Sequence, residues 1–394
     1  MKKNYIIITL TTLIVGVGVV TAQNQDDRIK SLNDQINALK AQVDQIKDGN
    51  AKPDWLRKID HKGMTLNVYG EMKWINKEGA DQFDPHRFVI APSYKLSDRA
   101  NFHAEIEIEH GAVDDSDGGR FDGEIELEQF YIDLEVNDWA TWRSLGVSLI
   151  PVGTINQHHE PDQFYSVHRP VMYKHIIPST WFESGTGFHG DIPSIDGLSY
   201  NIYASSGLTS AYATHTDGGW KPRSTRPGHR EDDGNDSFAY SGKLAYTRGG
   251  FSGSISTYQT SYENSNGSTD LGLYDVESSY RFANGLELIA DYAFWDISDP
   301  TVLTGGALTK TGDKMDGYRF EAAYHMQHGN NELVPFFRAE GYDLQDGPSG
   351  ESYNYLTYGA MYKFGHNWEL KAGVRQSLDD NSITEYTLGV GIQF

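Results

Sequence analysis

The sequence predicts an all-β fold: a closed, up-and-down antiparallel barrel of about sixteen strands that spans a membrane, preceded by a short coiled-coil helix. Three observations predict it. From Met64 onward, polar and apolar residues alternate with period two in segment after segment. The connections between these segments alternate between short and long. Beyond the N-terminal leader no stretch is apolar enough to be a membrane helix, and only helices and closed barrels satisfy every backbone polar group in lipid.

The N-terminus reads as a leader. Lys2 and Lys3 precede an apolar run from Tyr5 to Val20, then Val20-Thr21-Ala22, a small-x-small cleavage pattern. Residues 1–22 are expected to be a signal peptide. Residues 23–48 carry Ile29, Leu32, Ile36, Leu39, Val43 and Ile46 at 3-4-3-4-3 spacing, an a/d seam with polar flanks. Residues 49–63, with Gly49, Pro53 and Gly63, read as a linker to a barrel over 64–394.

Within the barrel, "LNVYGEMKW" sets Leu66, Val68, Gly70, Met72 and Trp74 against Asn67, Tyr69, Glu71 and Lys73. "ANFHAEIEIEH" alternates Phe102, Ala104, Ile106 and Ile108 with His103, Glu105, Glu107 and Glu109. The last segment alternates Thr384, Tyr386, Leu388, Val390, Ile392 and Phe394 with Glu385, Thr387, Gly389, Gly391 and Gln393. Successive strand side chains point to opposite faces, so each segment has one apolar and one polar face. One segment changes phase, from Ile125 and Leu127 to Phe130, Ile132 and Leu134, which predicts a β-bulge near Gln129.

Short turns are expected near Asp98, Asn137–Thr141, Pro193–Gly197, Gly249, Asn284, His328–Glu332 and His366. Long connections are expected at 77–86, 110–123, 152–183, 207–236, 262–269, 297–315, 344–352 and 379–382. Turns at one rim and loops at the other are the pattern of a transmembrane barrel. Trp74, Trp142, Tyr292, Phe294, Tyr358, Tyr362, Phe364, Trp368 and Phe394 fall near strand ends on the apolar face, where interfacial aromatic girdles form.

Composition narrows the function. The chain has 394 residues, no Cys and a formal charge of −22. The absence of Cys excludes a disulfide framework and a lipid attached to Cys. The acidic balance argues against a nucleic-acid partner, where a basic footprint is expected.

The third long connection is the most informative stretch. Thr154–Phe182 is too apolar for a free surface loop, carrying Phe164, Tyr165, Val167, Val171, Met172, Tyr173, Ile176, Ile177 and Trp181. Such side chains gain ~1.5–3 kcal/mol each on burial. An economical home is the barrel lumen, so the loop is expected to fold inward and narrow the passage. His158, His159, Glu160, His168, Arg169, Lys174 and His175 are then the candidate constriction residues. No metal, cofactor or catalytic role is expected of them: His158 and His159 diverge in an extended chain, and no HxxxH or HExxH spacing occurs.

The alternation also predicts lumen charges. Glu105, Glu107, Glu109, Glu124, Glu126 and Glu128 would form an acidic wall on adjacent strands. Arg281, Arg319, Arg338, Lys363, Lys371 and Arg375 would face it across the barrel, setting a transverse field that tunes ion selectivity.

The alternating strands, the terminal "LGVGIQF", the leader and the N-terminal heptads together resemble general outer-membrane porins of Gram-negative bacteria, and among them the phosphate-selective porin O and P type. "LIPVGTINQHHEP…RP…IIPSTWFESGTG", from Leu149 to Gly187, looks like a segment recurring in porin-like proteins. The resemblance implies a sixteen-stranded homotrimeric barrel in the outer membrane, with an inward third loop and the coiled coil in the periplasm. It implies passive diffusion of small hydrophilic solutes or ions, no cofactor and no enzymatic activity. Its partners would be outer-membrane lipid and, through terminal Phe394, the barrel-assembly machinery. That group is associated with an arginine-rich pore, whereas this chain is strongly acidic. The alternatives are a structural or adhesive barrel with a closed pore, or an outer-membrane hydrolase.

Overall fold

The structure is a computed structural model that describes residues 63–111, 113–114, 121–208, 220–226, 237–264, 266–304, 312–344, 352–379 and 383–394. The expected signal peptide, coiled coil and most of the linker lie outside these residues.

Sixteen antiparallel staves close a barrel in which each pairs with its sequence neighbours. They are β1 (Met64–Lys77), β2 (Ala80–Ser97), β3 (Ala100–Glu109), β4 (Ile125–Asn137), β5 (Ala140–Leu149), β6 (Phe182–Asp191), β7 (Leu198–Ser206) and β8 (Phe238–Arg248). Then follow β9 (Phe251–Asn264), β10 (Gly267–Arg281), β11 (Leu286–Ile297), β12 (Lys314–Tyr324 with Met326–His328), β13 (Asn331–Asp343), β14 (Ser352–Phe364), β15 (Trp368–Ser377) and β16 (Thr384–Gln393). The two segments of β12 both pair with β13 and form one stave interrupted at His325. β16 pairs with β1 and closes the ring. The seam ends on a reciprocal pair: the Val68 N–H donates to Phe394 O at 2.8 Å and the Phe394 N–H to Val68 O at 2.9 Å. A closed ring leaves no unpaired edge, which is what lipid demands.

The period-two faces sort as the chemistry requires. Leu388, Val390, Ile392, Phe320 and Phe337 are exposed on the outside, while Glu385, Thr387, Glu321 and Arg338 are buried inside. Near the short-turn rim, stacked or edge-on aromatic pairs such as Tyr280–Phe282 and Phe364–Trp368 stand on this outer face.

Two of the expected long connections are tight turns instead. β1 passes to β2 through Glu78-Gly79, both at positive φ, and β9 passes to β10 between Asn264 and Gly267. Positive φ at both central residues matches the twist of a two-residue hairpin. The polar residues expected to be loop therefore continue the ladder beyond the apolar band. The phase change in β4 is a bulge at Glu128: Glu105 pairs with Gln129 and Ile106 with Leu127, leaving Glu128 as the extra residue. Glu128 is consequently turned inward and fully buried.

The core of the protein lies within the barrel. Trp295, Tyr258, Tyr262, Leu271, Leu273, Met315 and Tyr342 project inward from β9 to β13 and pack against the connection between β5 and β6. One half of the lumen wall is thus apolar near the loop rim, and the other, on β1 to β4, is charged.

Candidate constriction and its electrostatics

The β5–β6 connection, 150–181, reaches strands on opposite sides of the barrel, which only a segment crossing the lumen can do. Its short helices, Thr154–Gln157 and Met172–His175, and a 3-10 turn at Pro161–Gln163 are separated by extended chain. The prolines at 161, 170 and 178 keep each helix to about one turn. Ile150, Val152, Met172, Ile176, Ile177 and Trp181 are completely buried, and the Trp295 indole N–H donates to Ile176 O at 2.8 Å.

Charged wall residues hold the loop through its backbone. The Thr154 N–H donates to both Glu277 carboxylate oxygens, at 2.8 and 2.9 Å. The Val171 N–H donates to Glu340 at 2.7 Å. The Lys371 ammonium donates to Phe164 O at 2.7 Å, and also to Pro161 O, and lies 4.0 Å from the Phe164 ring centre. Arg87 donates to His159 O. Buried backbone groups need partners, and here the barrel wall supplies them. Glycines on the wall make the space: a Cβ at Gly317 would lie 2.9 Å from Ile176 Cγ1 and 3.0 Å from Met172 Cβ.

The seven candidate loop residues divide by environment. His158 is exposed, while His159, next in sequence, is buried with Nε2 2.9 Å from the Tyr69 hydroxyl and 3.3 Å from Glu128. Burial pushes the His159 imidazole below its ordinary value, and desolvation by the surrounding lumen, with Lys243 nearby, lowers that of His158 although its surface stays open to water. His168 is 3.5 Å from Glu385, yet burial, with Arg375 nearby, holds it well below the ordinary range. Burial beside Arg87 brings the Arg169 guanidinium down to about 10. Arg169 donates to the Thr180 hydroxyl at 3.0 Å. Lys174 is exposed at the end of its helix, His175 stacks on Tyr342 at 4.1 Å, and Glu160 is half-buried.

Among the candidate acids, Glu105, Glu107 and Glu128 are buried together at the level of His159. Tyr69 donates to Glu105 at 2.6 Å, and Arg87 bridges Glu71 at 2.7 Å and Glu107 at 3.8 Å. Glu109, Glu124 and Glu126 continue this wall toward the loop rim, where Arg223 and Arg226 are within electrostatic reach.

The expected opposing basic stripe is not a stripe of free charge. Arg319 is paired with Asp291 at 2.5 Å and Arg338 with Glu340 at 3.0 Å. Arg375 is paired with Glu385 at 2.6 Å, and Lys363 with Asp162 of the loop at 3.4 Å. Arg281, exposed at the short-turn rim, meets Glu332 at 3.1 Å. The reason is register: an inward cation on one strand stands opposite an inward carboxylate on the next, as Arg319 does with Asp291 and Arg375 with Glu385. These cations neutralise neighbours or anchor the loop rather than facing the acidic wall as a row of unpaired charge.

Sequence reasoning missed Glu71, Lys73 and Arg87, although the alternation had already placed Glu71 and Lys73 on the polar face. It also missed Arg223 and Arg226. The signal was available: "WKPRSTR" is a basic run inside an acidic chain. Its 3-10 turn, Pro222–Thr225, is drawn to the inserted loop by Arg226, which donates to Thr180 O. Arg223, buried beside Arg226, is brought down to about 10.

Below the loop, a cavity of about 1590 Å³ opens toward the short-turn rim. The loop's Thr154, His158, Asp162 and Phe164 form its ceiling. Nine carboxylates and five Lys or Arg side chains line it, so its potential is negative.

Solved structures that share this architecture include a porin and an outer-membrane channel. The chain is 14% identical to Salmonella typhi OmpF in complex with daunomycin, with a TM-score of 0.58 over 85% of this chain and 99% of that one. It is 13% identical to an anion-selective porin from Comamonas acidovorans, with a TM-score of 0.57 over 84% and 99%. The outer-membrane channel DcaP of Acinetobacter baumannii gives 9% identity and a TM-score of 0.55 over 85% and 99%. At these identities the likeness is one of fold. In sequence, the chain is 28% identical over 330 residues to an uncharacterized protein of Aquifex aeolicus (strain VF5), spanning 77% of this chain and 73% of that protein. The family profile of Gram-negative porins matches residues 163–382, more than half of the chain; the protein belongs to that family and is an outer-membrane channel for passive diffusion.

Proposed function

We propose that the 150–181 loop is the selectivity constriction of this channel, and that small hydrophilic solutes or ions pass between it and the acidic wall. The observation that carries this reading is the loop's attachment to opposite sides of the lumen through Glu277, Glu340, Lys371 and Arg87. Glu109, Glu124 and Glu126 form one border of the passage, with the buried Glu107 and Glu128 behind them. Arg169 of the loop, with Arg223 and Arg226, forms the other. The turn-side cavity, rich in carboxylates, concentrates cations before they meet this charged gap. A weak cation preference at neutral pH and low salt follows. It fades at high salt, where the Debye length falls to ~3 Å at 1 M.

The experiment is conductance and reversal potential in planar bilayers, for the full chain and for a variant lacking residues 157–176. Higher conductance in the deletion supports the constriction. Wild-type conductance in the deletion overturns it. The number of anchors also favours a second reading, a barrel whose pore the loop closes. A silent wild type with a conducting deletion variant would select it. The hydrolase alternative is set aside, since family and fold point to a channel rather than an enzyme.

The reading extends to assembly. The protein is proposed to be a homotrimer whose residues 23–48 form a periplasmic coiled coil after removal of residues 1–22. Replacing Ile36 and Leu39 by Asp should weaken native oligomers in detergent and leave the barrel folded. Phe394 is proposed as the residue read by the assembly machinery. Kinship with the phosphate-selective porin O and P type rests on the inward third loop. Phosphate specificity is not part of the proposal, because inward cations such as Arg319, Arg338 and Arg375 are matched by carboxylates.

A further inference from the structure

We propose that Asp84, His86 and His110 form a binding site for a divalent transition-metal cation of the Zn²⁺ class on the barrel wall, next to the channel's acidic border. Asp84 and His86 lie two residues apart on β2, His110 lies just past the end of β3, and two features of the fold bring them together. The first is a bulge in β2. Glu71 pairs with Arg87 and Lys73 with Asp84, so β2 carries one residue more than β1 between these pairs. Pro85 lies in this bulge and has no N–H to offer the ladder. The extra residue sets His86 beside Asp84. The second is the end of β3. His110 adopts a positive φ of 51° and donates its backbone N–H to His86 O at 3.1 Å. Its ring thereby comes 5.5 Å from the His86 ring, at 70°.

The donor atoms converge. His86 Nδ1 lies 3.0 Å from one Asp84 oxygen and His110 Nδ1 2.8 Å from the other. All three ligand atoms are within 4.8 Å of one another. A tetrahedral metal at about 2.0–2.2 Å from its donors holds them ~3.4 Å apart; the two Asp84–imidazole contacts are slightly closer than that and the full set lies within 4.8 Å, so small side-chain rotations suffice to close on an ion. Two imidazoles and one carboxylate suit Zn²⁺, Ni²⁺ or Cu²⁺, whereas Mg²⁺ and Ca²⁺ take mainly oxygen ligands. Both histidines remain reachable from water, with side chains 26% and 37% exposed. Water can complete the coordination. Glu71 and Glu109 favour a cation here, while Lys73 and Arg87 oppose it, which keeps the affinity moderate and exchangeable. A second convergent set, Glu105, Glu128 and His159, is fully buried beneath the inserted loop and belongs to its anchorage.

Binding is tested on untagged full-length protein in detergent, titrated with ZnCl₂ against a chromophoric chelator. The comparison is a double variant, His86→Gln with His110→Gln. A second variant, Asp84→Asn, keeps both imidazoles, and heat-modifiable migration reports folding for all three. One Zn²⁺ per chain is expected for the wild type, with affinity falling roughly tenfold or more in the double variant. Equal Zn²⁺ binding by wild type and double variant overturns the proposal, as does a wild type that binds none at millimolar Zn²⁺. If the double variant fails to fold, unchanged binding in Asp84→Asn overturns it, and weakened binding supports it. The binding measurement is independent of the channel reading. In bilayers, bound Zn²⁺ should also shift the reversal potential toward anions in the wild type alone.

Discussion

Glu277 on β10 takes the backbone N–H of Thr154 between its two carboxylate oxygens, at 2.8 and 2.9 Å, and so ties the start of the inserted loop to the barrel wall. The hydroxyls of Thr154 and Tyr173 donate to the same carboxylate. A hydrogen bond to a charged group contributes about 1.5–3 kcal/mol. Glu277→Ala should therefore free the first turn of the loop without opening the barrel. Single-channel recordings should show higher mean conductance and more open-channel noise than wild type. Glu277→Gln should fall between the two.

Gly317 faces Ile176 and Met172 with no room for a side chain. Gly317→Leu should push the Met172–His175 helix off the wall, because well-packed interiors tolerate added methylenes poorly, at about 1–3 kcal/mol. The expected result is raised conductance with unchanged heat-modifiable migration. A variant with wild-type conductance would show that the helix does not hold the loop.

Lys371 is a position where strand alternation alone misleads. Its inward orientation implies contact with water, yet the loop covers it and leaves it 4% exposed. In a single-Cys series, Lys371→Cys should react slowly with a water-soluble maleimide, and Lys174→Cys quickly. Deleting residues 157–176 should raise the rate at 371 by roughly an order of magnitude or more, since local opening no longer limits access. Val390→Cys, on the outer face, should stay protected in both backgrounds.

The loop histidines give a pH dependence with a definite sign. Desolvation in the seated loop holds His158, His159 and His168 below their ordinary value. Above about pH 6.5 they are neutral whether the loop is seated or released. Below it, a released loop binds protons that the seated loop does not, so acidification favours release. The window runs downward from about pH 6.5 to the lower values of the seated loop. Conductance and noise should rise across that window, and His159→Gln with His168→Gln should flatten the response. A response centred above pH 7 would contradict this assignment.

The sequence by itself determined the barrel. Period-two alternation from Leu66 to Phe394 decides which side chain meets lipid and which meets the interior, residue by residue, because strand geometry leaves no other choice. The phase break around Gln129 marked the bulge, and the apolar content of the third long connection called for burial. Only the tertiary structure decided what the charges do. Whether Arg319 or Arg375 stands free depends on the register of the next strand, a pairing between residues distant in sequence. Whether Lys371 meets water depends on where Pro161 and Phe164 come to rest. The positions of Arg223 and Arg226, and the meeting of Asp84, His86 and His110, likewise follow from loops and bulges that bring remote segments together. Alternation is a local property of one strand and is written in consecutive residues. Charge pairing and loop seating are properties of the closed ring, and they exist only once the strands have met.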